Sequence, residues 1–130
     1  MACDPSYPSF SDAEYQRRHA AVKVRMDRLG LEAVVFYGSR AAPDIHYLCN
    51  WLTTREAYLI YPREGEPTLF VQLSNHLPNA RRMAVTDDVR FGGSSPTGSV
   101  DSMPRVVENL KDRGLENGAV GLCGNIPYRH

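Results

Sequence analysis

The chain has 130 residues, with 15 basic and 15 acidic side chains and no net charge, so it offers no field to draw nucleic acid or an anionic membrane. That length makes one domain, able to bury a core without disulfides or metals. Three scattered cysteines, Cys3, Cys49 and Cys123, with no C-x-x-C pair, speak against a disulfide framework or a zinc knuckle and fit a reducing cytoplasm.

Residues 1–10, rich in Pro, Ser and aromatic side chains, read as an extended lead-in. A helix follows. Ser11 can cap it, with Glu14 reaching back to the cap amide in an S-x-x-E box. Tyr15, His19, Val22, Met26 and Leu29 make one apolar stripe, and Gly30 ends the helix in the left-handed conformation. The Arg17-Arg18 pair, like Arg81-Arg82, reads as a solvated helix face. The apolar run at 33–37 is a buried strand. A short element at 45–49 follows. Two β-rich runs, 57–61 and 68–72, flank a Pro/Gly turn and make a hairpin.

A short helix at 75–83 is expected to be interrupted early by Pro78. Residues 85–91 read as a strand with Asp87 and Asp88 near its middle. The Gly/Ser-rich stretch 92–99 is a loop. A helix begins near Asp101 or Ser102 and tolerates Pro104 in its first turn. Met103, Val106, Val107 and Leu110 form its apolar face, and Gly114 stops it. Residues 119–123 are a last strand, and Asn125-Ile126-Pro127-Tyr128 reads as the opening of another helix. Helices interspersed with strands predict an α/β fold, a mixed sheet with helices on its faces. No apolar run approaches the ~20 residues of a membrane span, and Met1-Ala2-Cys3-Asp4-Pro5 has neither the basic start nor the apolar run of a signal peptide.

Tests for a self-sufficient active site fail. There is no H-E-x-x-H, no G-x-S-x-G and no G-x-x-x-x-G-K-[ST]. Gly121-Leu122-Cys123-Gly124 is weak as a nucleotide signal. The histidines His19, His46, His76 and His130 are scattered. Asp87 and Asp88, neighbours on a strand, point to opposite faces and cannot easily share a metal. Cys49 would be a nucleophile only with a base such as His46 beside it; a buried, inert thiol is the plainer reading. The loop at 50–56 is the most suggestive segment. It holds the single tryptophan, Trp51, and Arg55, residue types enriched in interface hot spots. Trp51 either covers the edge of the core or touches a partner or substrate.

Several segments together resemble the N-terminal domain of the creatinase/prolidase family. They are Phe10-Ser11-Asp12-Ala13-Glu14-Tyr15-Gln16-Arg17-Arg18, Met26, Leu29-Gly30-Leu31-Glu32-Ala33-Val34-Val35, Asp44-Ile45-His46-Tyr47-Leu48, the hairpin after Ala57, and Ala119-Val120-Gly121-Leu122. The resemblance lies in their order and spacing from Phe10 onward. It implies an α/β domain over 11–130 with a ribonuclease-H-like motif, truncated before its last helix and strand. In that family this domain is not where chemistry occurs. A following pita-bread domain holds two divalent metals, manganese, cobalt or zinc, on aspartates, a histidine and glutamates.

None of that ligand set maps onto this chain, so no catalytic residue, metal ligand or cofactor is expected in it. The longer protein is expected to be an Xaa-Pro dipeptidase or aminopeptidase. A creatinase-like amidinohydrolase or related lyase, or a stand-alone binding module using the 50–56 and 92–99 loops, are the alternatives. The implied partners are the chain's own C-terminal catalytic domain and a second copy in a homodimer. Trp51 and Arg55 are then the candidate substrate-contact or interface residues. A nuclease would need clustered carboxylates and a basic groove, which the balanced charge and scattered acids do not supply.

Overall fold

The computed structural model describes residues 6–93 and 102–125. The first half of the expected lead-in, most of the 92–99 loop and the start of the expected helix after Asn125 lie outside the described residues. Helix α1 (Asp12–Leu29) opens where the Ser11 hydroxyl accepts from the Glu14 amide at 3.3 Å, and Gly30 closes it at φ 65°. The expected reciprocal half of the capping box does not form. The Glu14 carboxylate is held instead by Arg17 (2.7 and 2.8 Å) and Arg18 (2.8 Å). The hydrogen bond from Arg17, then that from Arg18, brings its pKa down to about 2.

Arg18 also corrects the sequence reading, because it is buried rather than solvated. Its guanidinium lies 4.0 Å from the centroid of the Phe10 ring and 4.2 Å from that of Tyr47. It donates to the Tyr47 carbonyl at 2.8 Å. Two aromatic faces, a carboxylate and a carbonyl replace its water.

Strand β1 (Ala33–Gly38) is buried throughout. The short element after it is a helix, α2 (Pro43–Cys49), closed by Asn50 at φ 62°. Strands β2 (Ala57–Pro62) and β3 (Thr68–Gln72) form the expected hairpin. Helix α3 (Leu77–Met83) carries Pro78 in its first turn, where a missing N–H costs nothing, so the proline opens the helix instead of interrupting it. Strand β4 (Asp88–Gly93) starts later than expected, with Asp88 first. The residues before it are tied down as a loop: the Val85 amide donates to the Cys49 carbonyl and the Thr86 hydroxyl to the Pro67 carbonyl. Helix α4 (Ser102–Asp112) and strand β5 (Val120–Cys123) complete the described chain.

The strands form one mixed sheet in the order β4-β3-β2-β1-β5. β1, β2 and β3 run as an antiparallel meander, while β4 lies parallel to β3 and β5 parallel to β1. Alternation along the strands makes two unlike faces. One buries Val34, Phe36, Leu59, Tyr61, Leu69, Val71 and Val89 under α1, α2, α3 and Trp51. The other buries Val35, Tyr37, Tyr58, Ile60 and Phe70 against Val106 of α4.

The helix stripes are narrower than the spacing suggested. Leu29 is exposed because it borders an open apolar groove of about 310 Å³ between α1 and the β5 edge, shared with Val22, Leu31 and Leu122. Val107 is exposed, and Asn109 takes the buried place on α4.

Candidate functional site

The 50–56 loop sits where β1 ends and β2 begins. The Asn50 side-chain amide donates to the carbonyls of Pro8 and Met83, both at 3.1 Å, which ties the loop to the N-terminal segment and α3. Trp51 is 5% exposed and belongs to the core under the helices. Thr53 is buried, and its hydroxyl accepts from the Ala42 amide at 2.7 Å. Thr54 shares a 3.0 Å hydrogen bond with Nδ1 of His76. What the loop presents to solvent is therefore Leu52, Thr54 and Arg55. The two sequence candidates are divided by the fold: Trp51 anchors the loop from inside, and Arg55 faces outward.

Thr53 also fixes the neighbouring β1–α2 loop, since its carbonyl accepts from the Ala41 amide. That loop is strained, with Arg40 at φ 49° and Ala41 at φ 61°. Gly38 is required at its start, because a Cβ there would collide with that of Ala42. The two loops thus form one clamped rim carrying Arg40, Leu52 and Arg55 on its exposed side.

On the α4 face the ladder brings together residues that the sequence reading did not single out. The Gln72 amide donates to the Glu56 carbonyl at 3.4 Å, which places this pair one step beyond the Ala57–Val71 pairing. Tyr58 follows Glu56 on the same face and pairs with Tyr37, their rings 5.0 Å apart. Glu56 Oε2, Tyr58 Oη and Gln72 Nε2 are buried atoms without a hydrogen-bond partner among the described residues. Burial first, then the neighbouring Tyr37 and Glu56, push the Tyr58 hydroxyl well above the usual tyrosine range. Strand alternation was the signal that could have found them: Glu56, Tyr58 and Ile60 share a face that must be covered.

Farther along the same face, Thr68 is the hub of a satisfied network. Its hydroxyl donates to Asp88 at 2.6 Å and accepts from Arg113 at 2.7 Å. Arg113 also donates to the Asn109 side chain at 2.8 Å and the Glu66 carbonyl at 2.9 Å. Burial raises the pKa of Asp88, but the bonds from Arg90 and Thr68 outweigh it and leave the carboxyl below its ordinary value. Asp87 is exposed, so the acidic pair is divided between solvent and this network.

The nucleophile and metal candidates are not assembled. Burial pushes the Cys49 thiol up to about 12, and its Sγ donates to the Ile45 carbonyl at 3.1 Å. His46 is exposed on α2 while Cys49 is buried. His19 packs edge-on to Tyr61 and bonds the Leu48 carbonyl at 3.0 Å. Among the described residues no three His, Cys, Asp or Glu side chains are grouped so as to hold a metal ion. The divalent metals implied by the resemblance thus find no fitting ligand set among them. Nor is any described helix long and apolar enough to cross a membrane.

No protein-family model matches the sequence, and no curated protein matches it. Solved structures do match. A dipeptidase, PepE, from Mycobacterium ulcerans is 22% identical over 95% of this chain and 32% of its own, with a TM-score of 0.66. The aminopeptidase P (Xaa-Pro aminopeptidase) from Streptococcus thermophilus is 17% identical over 88% of this chain and 78% of its own, with a TM-score of 0.64. The creatinase/prolidase N-terminal domain of an X-Pro dipeptidase from Streptococcus pyogenes is 16% identical over 82% of this chain and 92% of its own, with a TM-score of 0.57. The chain therefore spans about a third of the dipeptidase and nearly all of the isolated domain. Its α/β architecture, a five-stranded mixed sheet flanked by helices, is the fold of the creatinase/prolidase N-terminal domain.

Proposed function

We propose that this chain is the non-catalytic N-terminal domain of an Xaa-Pro dipeptidase- or aminopeptidase-type metallohydrolase. It packs against a C-terminal catalytic domain and, in a homodimer, helps shape access to the partner's active site. The observation that carries this reading is the match to an isolated creatinase/prolidase N-terminal domain over 92% of that domain's length. In this reading the chemistry is held in the catalytic domain, on manganese, cobalt or zinc. The rim built by the 50–56 loop is the contact surface in this reading. Trp51 holds it in shape from the core, and Leu52 and Arg55 make the contact.

The test is hydrolysis of a panel of Xaa-Pro dipeptides with added manganese or cobalt. The 130-residue chain alone is expected to turn over none of them. A chain carrying a catalytic domain after this one is expected to be active, with Trp51→Ala weakening its dimer or raising KM. Turnover by the 130-residue chain would overturn the reading. Unchanged dimerisation and KM in the Trp51 variant would remove the loop from it.

A further inference from the structure

Residues 6–10 touch three helices without being buried by any of them. Tyr7 is half-buried, and Ser6 and residues 8–10 are exposed. The Phe10 ring, itself 56% exposed, covers the guanidinium of Arg18 on α1 at 4.0 Å and meets the Tyr15 ring edge-on. The Pro8 carbonyl accepts from the side-chain amide of Asn50, the residue that closes α2. The Arg82 guanidinium on α3 lies 5.3 Å from the centroid of the Tyr7 ring. Neither buried cluster of the sheet includes any of these five residues. Two ring–cation contacts and a hydrogen bond return a gain of the same order as the entropy lost in ordering so short a stretch, a loss that Pro8 reduces by fixing its own φ. Detachment of the segment is therefore a local opening that leaves the core folded.

Asn50 joins this segment to the rim. Its side chain also donates to the Met83 carbonyl at the end of α3, and the residue is only 3% exposed. It is the first residue of the 50–56 loop, held at φ 62°. Lifting residues 6–10 takes the Pro8 acceptor from a buried amide, which must then turn toward water to satisfy its N–H. Three residues on, Thr53 accepts from the Ala41 amide through its carbonyl and from the Ala42 amide through its hydroxyl. One carboxamide thus links the N-terminal segment to both loops of the rim.

We propose that residues 6–10 are a releasable strap whose docking orders the 50–56 loop, so that release loosens the rim carrying Leu52 and Arg55. A partner that meets the docked form finds the rim already ordered. One that meets the released form must order it first and binds more weakly. The strap stands on this chain's own contacts, whether or not the chain is the N-terminal domain of a peptidase.

The test is NMR on the isotope-labelled 130-residue chain and on Phe10→Ala, which removes an exposed ring and leaves both sheet faces intact. Order in the strap is read from the heteronuclear NOE of residues 7, 9 and 10. Order in the rim is read from hydrogen exchange of the Ala41 and Ala42 amides. In the variant the strap is expected to lose its order, and Ala41 and Ala42 to exchange at least fivefold faster, while the β1–β2 ladder amides change by less than twofold. Tyr7→Ala, which removes the ring facing α3, is expected to give the same pattern. A strap that stays ordered in both variants would overturn the proposal. So would unchanged exchange at Ala41 and Ala42 after release, which would sever the strap from the rim. Equal acceleration in the ladder would also overturn it, as a general loss of stability.

Discussion

The two faces of the sheet are built from the same strands and differ in kind. Under α1, α2 and α3 the buried side chains of the sheet itself are apolar, from Val34 through Leu59 to Val89, and the buried polar groups Arg18, Asn50, Thr53 and Thr86 sit on the helices and loops around them. Under α4 the apolar layer is thin, and polar groups are buried beside it: Ser102, Asn109, Thr68 and Gln72. Apolar packing makes no demand on direction, so the sheet side chains of the first face need no hydrogen-bond partners. Buried polar groups need partners, and the second face satisfies them at Thr68 and fails to at Tyr58. Among the described residues, three of the four orphaned buried polar atoms lie on the second face, and the fourth, Tyr15 Oη, is on α1.

The sharpest way to break this contrast is to cut a hole in the apolar face. Leu59 is fully buried at the centre of β2. Leu59→Ala is expected to destabilise by about 3 kcal/mol, the lost transfer energy plus the cavity left behind. Denaturant unfolding would measure it. A loss below about 1 kcal/mol would mean that the face relaxes around the hole and is not the rigid half.

A smaller effect belongs to the satisfied part of the polar face. Thr68→Val removes the hydroxyl that joins Asp88 to Arg113 and is expected to cost about 1–2 kcal/mol near neutral pH. The folded Asp88 carboxyl titrates below its ordinary value, whereas the unfolded one titrates near ~3.9. Its contribution is thus present above about pH 4 and lost as pH falls through the folded value. The gap in stability between the native chain and Thr68→Val is expected to narrow in acid. A gap that stays constant from neutral to acidic pH would detach the hydroxyl from the carboxylate.

The apolar face was legible in the sequence and the polar one was not, for a physical reason. Runs such as Ala33 to Tyr37 announce burial by composition alone, and Gly30 and Gly114 mark helix ends by conformation. Pro78 misled because its position relative to the helix start, not its presence, decides its effect. Arg18 could not be told from Arg17 by type, because its burial depends on Phe10 and Tyr47 meeting across α1 and α2. Trp51 and Arg55 were visible as residue types, but their division between core and solvent is a property of the folded loop. Glu56 and Gln72 are distant in the chain, and only the hairpin register makes them neighbours.

The smallest expected change is the most discriminating. Tyr58→Phe removes one oxygen from a buried ring and leaves the contact with Tyr37 in place. On the apolar face such a change would be trivial, and in a satisfied network it would be costly. Here the hydroxyl has no partner among the described residues, so the variant is expected to be as stable as the native chain or more stable by up to about 1 kcal/mol. A loss of more than about 1 kcal/mol in denaturant unfolding would mean that the hydroxyl is bonded in solution. The contrast between the faces would then dissolve. A gain in stability would be the opposite result. It would show that the buried hydroxyl is held at a cost to the fold.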